Sequence, residues 1–305
     1  MEVCLLPISS KHTLNGDDGE RMVNKLRDRK SVFFPEVRQE RLDILLEVAR
    51  KGVDGLLIGC CRQVPMLLYH PEMVKTYQQQ TGINPLEIDA STGETYNDWI
   101  TWRANFFTQL LRDLSSELVT MEKELGKKIP VAVRIPAAGF FYNLAQGLDV
   151  KQWVSENLID MLHLVPLEDR GGRGSQDIKP YQELCKNNDI PIIGGIGSRW
   201  EYQTLTPNCE SYLPSLRRAQ GLLECGVDGI EVYETELQAL CSPQRWLFPL
   251  FGNLKCLKDF LENSNLEACY PVRASTAAFG HDNHSAWDTS TWRNWNVYGN
   301  ESNSL

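Results

Sequence analysis

The chain has 305 residues, a formal net charge of −9 and a pI near 5.2. That length buries the core of one α/β barrel or of two smaller domains, and the acidic balance argues against a nucleic-acid partner, whose phosphates need clustered Lys and Arg. No apolar run reaches the roughly 20 residues that span a bilayer, so no membrane partner is expected.

The N-terminus, Met1-Glu2-Val3-Cys4-Leu5-Leu6, carries an acid where an export signal wants bases. A cytoplasmic address is expected for the chain as it stands, and a secreted one if an N-terminal part is missing. The nine cysteines are odd in number and no two have C-x2-C spacing, so they are expected to be reduced, small apolar residues rather than zinc ligands. Neither a metal nor a cofactor is expected.

Residues 1–32 are irregular, with one weak strand candidate at 3–8 and a strong turn signal at Asn15-Gly16-Asp17-Asp18-Gly19. Over 36–50, Val37, Leu42, Leu45, Leu46 and Ala49 recur at three- and four-residue steps and predict a helix. Gly52 stands where a helix C-cap wants a left-handed residue, and the short apolar run that follows predicts a strand buried on both faces. The same joint returns later: Lys51-Gly52-Val53-Asp54-Gly55 is matched by Cys225-Gly226-Val227-Asp228-Gly229, again behind a helical pattern. Two copies of one helix-to-strand joint point to a (β/α) barrel, whose chemistry gathers where strands end.

The polar connection over 63–98, with Pro65, Pro71, Gly82 and Pro85, is expected to be a binding loop or lid. A long helix follows over 99–125, in which Trp99, Trp102, Phe106, Leu110 and Leu114 read as core. Residues 128–136 predict a strand with prolines only at its ends. The remaining pattern gives a helix at 149–157 with Asp149 as N-cap and Trp153 buried, a strand at 159–165, and a charged loop at 168–176. Then come a helix at 177–187, a strand at 191–196, a helix at 212–224, a strand at 227–233 and a closing helical region at 242–262. The tail from 263 to 305 is aromatic and carries His281 and His284.

Five strands, or six with 3–8, fall short of the eight of a closed barrel. The expected fold is therefore α/β, an incomplete (β/α)8 TIM-type barrel over residues 33–262. Strand alternation turns Ile230 and Val232 outward, and Glu231 and Tyr233 inward. By the same alternation Leu57, Gly59, Cys61, Ala132, Arg134, Met161, His163 and Val165 face inward. Arg134, His163, Glu231 and Tyr233 are thus expected to converge, with Arg134 neutralising Glu231, since an unpaired charge inside a barrel is costly. The set reads either as a structural ion pair with a hydrogen-bonded histidine or as the polar floor of a substrate pocket.

Several stretches together resemble the glycosyl-hydrolase-like 10 barrel family. These are Pro35-Glu36-Val37-Arg38-Gln39-Glu40-Arg41, Val53-Asp54-Gly55 with Cys61-Arg62, Tyr69-His70-Pro71, Trp102-Arg103, and the segments 131–136, 144–149 and 227–234. The resemblance covers roughly residues 33–250 and implies a (β/α)8 barrel with a carbohydrate-processing role and an oligosaccharide or sugar ligand. The sequence departs from the family in two places: Gly59 stands where the family commonly carries an acid, and the part of the barrel that would precede Pro35 is missing. Glycoside cleavage needs two carboxyl groups flanking the bond, which leaves Glu231 as the expected acid/base and Glu234 as its partner, with Glu168, Asp169 and Glu201 also near the mouth. Arg62, Tyr69, His70, Arg134, His163, Arg199 and Tyr233 are the expected hydrogen-bonding groups, and Trp200 a ring to stack on a sugar. His70, beside Pro71, also suits a purely local loop hydrogen bond.

Two other functions compete. Gly194-Gly195-Ile196-Gly197-Ser198 reads as a phosphate cradle of a phosphosugar enzyme, although Arg199-Trp200-Glu201-Tyr202 follows at once and no lysine faces inward for Schiff-base chemistry. Alternatively the chain is a non-catalytic barrel that binds carbohydrate or protein through 63–98 and its aromatic tail.

Overall fold

In a computed structural model the chain is described over residues 31–61, 67, 69–88, 93–165, 178–196, 213–232 and 245–263. Five strands occur there: β1 Leu56–Gly59, β2 Val131–Pro136, β3 Met161–Val165, β4 Ile192–Ile196 and β5 Gly229–Val232. They form one parallel sheet in the order of the chain, with helices between consecutive strands. All five expected strands are present, each shorter than or close to its expected span; the candidate at 3–8 lies outside the described residues. No helix among the described residues is long and apolar enough to cross a membrane.

The contacts divide the chain into two compact units: Met1–Leu164 with Gln176–Ile192, and Val165–Ser175 with Ile193–Leu305. In the first unit, helix α1 (Pro35–Arg50) buries Val37, Leu42, Leu45, Leu46 and Ala49, the five residues its periodicity singled out. It packs against α3 (Glu94–Leu125), a helix of 32 residues. Helix α3 starts at Glu94, five residues before its expected start, behind Gly93 and with an acid in its first turn. Trp99, Leu110 and Leu114 of the expected core stripe are buried, whereas Trp102 and Phe106 are half-exposed and meet edge to face at 4.8 Å. Trp153 on α5 (Val150–Ser155) is fully buried, and its indole N–H donates to Thr108 Oγ1 at 2.9 Å. Asp149 caps α5 as expected, accepting from the Gln152 amide at 3.1 Å.

The connection over 63–98 is not one long loop. It contains α2 (Pro71–Thr81), which buries Met73 and Tyr77, the latter with its ring edge-on to Trp99 and Trp102. A short helix not expected from the sequence, α4 (Phe140–Ala145), follows β2. Helix α6 (Lys179–Lys186) completes the first unit. In the second unit α7 (Leu213–Glu224) precedes β5, and the closing region is a 3-10 segment, Arg245–Gly252, followed by α8 (Leu254–Asn263). Pro249 inside the 3-10 segment explains why no α-helix forms there.

The repeated joint has a repeated geometry. Gly52 and Gly226 both end a helix with φ near +80° (82° and 85°), a conformation that a β-carbon disfavours. Gly55 and Gly229, the last residues of the repeat, sit against the neighbouring strand. A methyl group on Gly55 would lie 3.0 Å from the carbonyl oxygen of Pro130, the same oxygen that accepts from Leu56 N at 2.9 Å and opens the β1–β2 ladder. On Gly229 it would lie 3.0 Å from Cδ1 of Ile193.

Two predictions follow from this packing. Gly55→Ala presses on a backbone oxygen that is fixed by the ladder and should cost about 1–3 kcal/mol; Gly229→Ala presses only on a flexible side-chain end and should cost clearly less. Equal losses in urea unfolding would refute this account of the repeat. The second concerns Glu156, which receives Arg112 Nε at 2.6 Å and Nη2 at 2.7 Å and is thereby held down at about 2. Because its folded value lies below the ordinary 4.5, the stability it contributes is fully present above about pH 4.5 and is lost as pH falls toward 2. Both side chains are about a third exposed (31% and 29%), so the effect is screened and modest. In acid titrations of stability, Glu156→Gln should flatten the profile between those two pH values.

Candidate functional site

In parallel α/β sheets, ligands bind beyond the carboxyl ends of the strands. In the first unit that end is built from β1, β2 and β3. Register pairs Gly59 with Arg134, so the two share a face, and Cys61 follows two residues after Gly59. The Arg134 guanidinium is buried and donates from Nη1 to Cys61 Sγ at 2.7 Å. An acid at position 59 would stand beside Arg134; glycine presents no side chain there. On β3, Leu162 and Leu164 are buried while Met161 and His163 are half-exposed, and His163 Nε2 lies 3.3 Å from Met161 Sδ. Met161 and His163 therefore share one face, in keeping with the expected alternation.

In the second unit Glu231 is half-buried on β5, in register with Gly195 on β4. Its pairing with Arg134 remains an expectation from strand alternation. Gly194 and Gly195 have a packing explanation. A β-carbon on Gly195 would lie 2.4 Å from Val165 Cγ1, and one on Gly194 would lie 3.1 Å from Leu222 and 3.3 Å from Val227. These two glycines let β4 approach Val165 and the α7-to-β5 joint, while Gly197 and Ser198 of the expected cradle lie outside the described residues. Arg62, Arg199, Trp200, Tyr233 and Glu234, with Glu168, Asp169 and Glu201, lie outside the described residues.

His70 has a structural task. Its Nδ1 accepts from the Glu72 amide at 3.2 Å, capping α2, and its ring meets Phe34 edge-on at 4.7 Å. Tyr69 lies at a different kind of place, a cluster that sequence reasoning missed. Arg103 on α3 is only 2% exposed, and its Cζ sits 4.5 Å from the centre of the Tyr69 ring and 5.4 Å from that of Trp99. It donates to the carbonyl of Leu67, after β1, and at 3.4 Å to that of Ala145, after β2. Burial pushes the Arg103 guanidinium pKa down, against the opposing pull of Tyr69 and Tyr96. Tyr96, which hydrogen-bonds Tyr69, is raised first by burial and then by Tyr69, with Arg103 pulling the other way. The only trace of this cluster in the sequence is Trp102-Arg103, a charge inside an apolar helical stripe.

Asn143, wholly buried on α4, was likewise missed. Its Nδ2 donates to the Pro136 carbonyl at 2.9 Å and to the Tyr181 hydroxyl at 2.6 Å, fixing the turn after β2 to α6. Two residues before it, Phe141 is 58% exposed and its ring lies 6.2 Å from that of Tyr96. The connections that follow β1 and β2 thus carry a run from an exposed ring on α4, through half-buried Tyr96 on α3 and Tyr69 before α2, to the buried cation on α3. Among the described residues no group of three or more His, Cys, Asp or Glu is placed to hold a metal ion.

The chain matches no family model and no curated protein. The resemblance to the glycosyl-hydrolase-like 10 family rests on the sequence motifs alone.

The cysteines divide by environment: Cys60, Cys61 and Cys185 are buried as expected, whereas Cys225 and Cys256 are exposed. Alkylation of the native protein followed by peptide mass mapping should label Cys225 and Cys256 quickly and Cys61 only on unfolding. Fast labelling of Cys61 would show that the Arg134 contact does not shield it.

Proposed function

We propose that this chain is a carbohydrate-binding protein on part of a (β/α)8 barrel of the glycosyl-hydrolase-like 10 type, with Glu231 and Glu234 as its pair of carboxyl groups. The observation that carries the reading is the run of Phe141 on α4, Tyr96 in the first turn of α3 and Tyr69 just before α2, in the connections that follow β1 and β2. Sugars present C–H faces and hydroxyls together, and tyrosines offer an apolar ring and a polar tip to match. Arg134 and His163 supply donors on strands β2 and β3 of the same unit.

Cleavage would use the two acids in different protonation states. One, protonated, gives its proton to the departing glycosidic oxygen; the other, ionised, either attacks the anomeric carbon or activates water, according to their separation. Gly59 removes one acid that the family commonly carries, which favours a binding protein with slow or no turnover as the second reading. The phosphosugar alternative is weakened because packing already accounts for Gly194 and Gly195.

Oligosaccharide binding by calorimetry, together with release of reducing ends, tests the proposal. Glu231→Gln should abolish any hydrolysis while leaving affinity within about threefold, since a neutral isostere keeps the hydrogen bonds. Hydrolysis that survives in Glu231→Gln removes Glu231 from the chemistry, and a protein that binds no oligosaccharide removes the function itself.

A further inference from the structure

The Arg103 cluster is more than a loop clamp. A buried guanidinium is stable only when its charge is met and its N–H groups are bonded. The two carbonyls and the faces of Tyr69 and Trp99 meet part of that need. Among the described residues, however, no carboxylate pairs with Arg103, and its buried Nε has no hydrogen-bond partner. Trp99, one turn earlier on the same helix face, has an unpartnered buried indole N–H as well. Beside the Ala145 carbonyl that Arg103 holds, Gln146 has an unpartnered buried oxygen. Two orphaned donors and one orphaned acceptor thus accompany a cation that no carboxylate among the described residues neutralises, which favours an anion beside the cluster.

Resting on the carbohydrate reading, we propose that the Arg103–Tyr69–Tyr96 cluster is a subsite for the carboxylate of an acidic sugar. Tyr96 and Tyr69 are half-exposed and act electrostatically on Arg103, which is itself only 2% exposed, so their hydroxyls are the groups a carboxylate reaches first. Phe141, exposed beside Tyr96, offers the ring face for the pyranose. A neutral sugar would satisfy the hydroxyl contacts and leave the cation unmet.

The test uses galacturonate, mannuronate and glucuronate oligosaccharides, each beside its methyl ester, with neutral oligosaccharides as a third arm, all titrated calorimetrically into the whole chain. At least one acid form should bind about tenfold more tightly than its ester, and the preference should weaken as salt is raised. Tyr96→Phe, which keeps the ring and the packing, should remove most of that preference without changing the thermal midpoint. Arg103→Lys should remove it too, but the Tyr96 variant decides if the Arg103 variant does not fold. Esters that bind as well as acids, or a Tyr96→Phe protein with its preference intact, overturn the subsite while the carbohydrate reading stands. No affinity in any arm overturns both.

Discussion

The sheet depends on how closely its strands begin beside one another. At Gly55 the chain passes so near the Pro130 carbonyl that a single methyl would crowd it, and the first rung of the β1–β2 ladder is made to that same oxygen. At the other copy of the joint, Gly229 comes equally near Ile193, but there against the end of its side chain. The preceding glycine of each copy ends a helix in the left-handed region, so the chain reverses and the strand starts within four residues. One five-residue device thus does two jobs, turning the chain and setting the strand spacing. The polar face of β1 and β2 follows from that register, because Leu56 opposite Val131 puts Gly59 opposite Arg134.

That register changes what Gly59 means. From the sequence it is a lost acid; in the fold it is the neighbour of a buried arginine that turns to the Cys61 thiol. An enzyme with an acid there would hold it beside a guanidinium, which favours the ionised form. The present chain keeps the cation without that carboxylate. Arg103, in the same unit, is a second buried arginine, held by loop carbonyls and ring faces. A chain of net charge −9 thus holds two buried arginines in one unit, local positive charge against an acidic overall balance.

Much of this arrangement could be read from residue order, because period and punctuation are local. The five apolar residues of α1 and the cap at Asp149 came from spacing and side-chain chemistry alone. Helix α2 did not, because its apolar residues are few: Met73 and Tyr77 carry its burial, and Pro71 and Gly82, which bound it, look like loop residues. His70 was legible as a local hydrogen-bonder, since an imidazole before a proline-led helix is well placed to cap it. Arg103 was not legible at all. Its partners are carbonyls 36 and 42 residues away and aromatic faces brought up by folding, and none of those leaves a pattern along the chain.

Asn143 carries a last consequence. By holding the Pro136 carbonyl and the Tyr181 hydroxyl together, it locks the short stretch on which Phe141 stands. Ordering a loose side chain or loop on association costs about 0.5–1.5 kcal/mol for each group that must be stilled. A wall already fastened from behind avoids that loss, so an arriving molecule meets a surface shaped in advance. The recognition proposed at this edge would then depend on fit and charge rather than on how readily the wall can adapt.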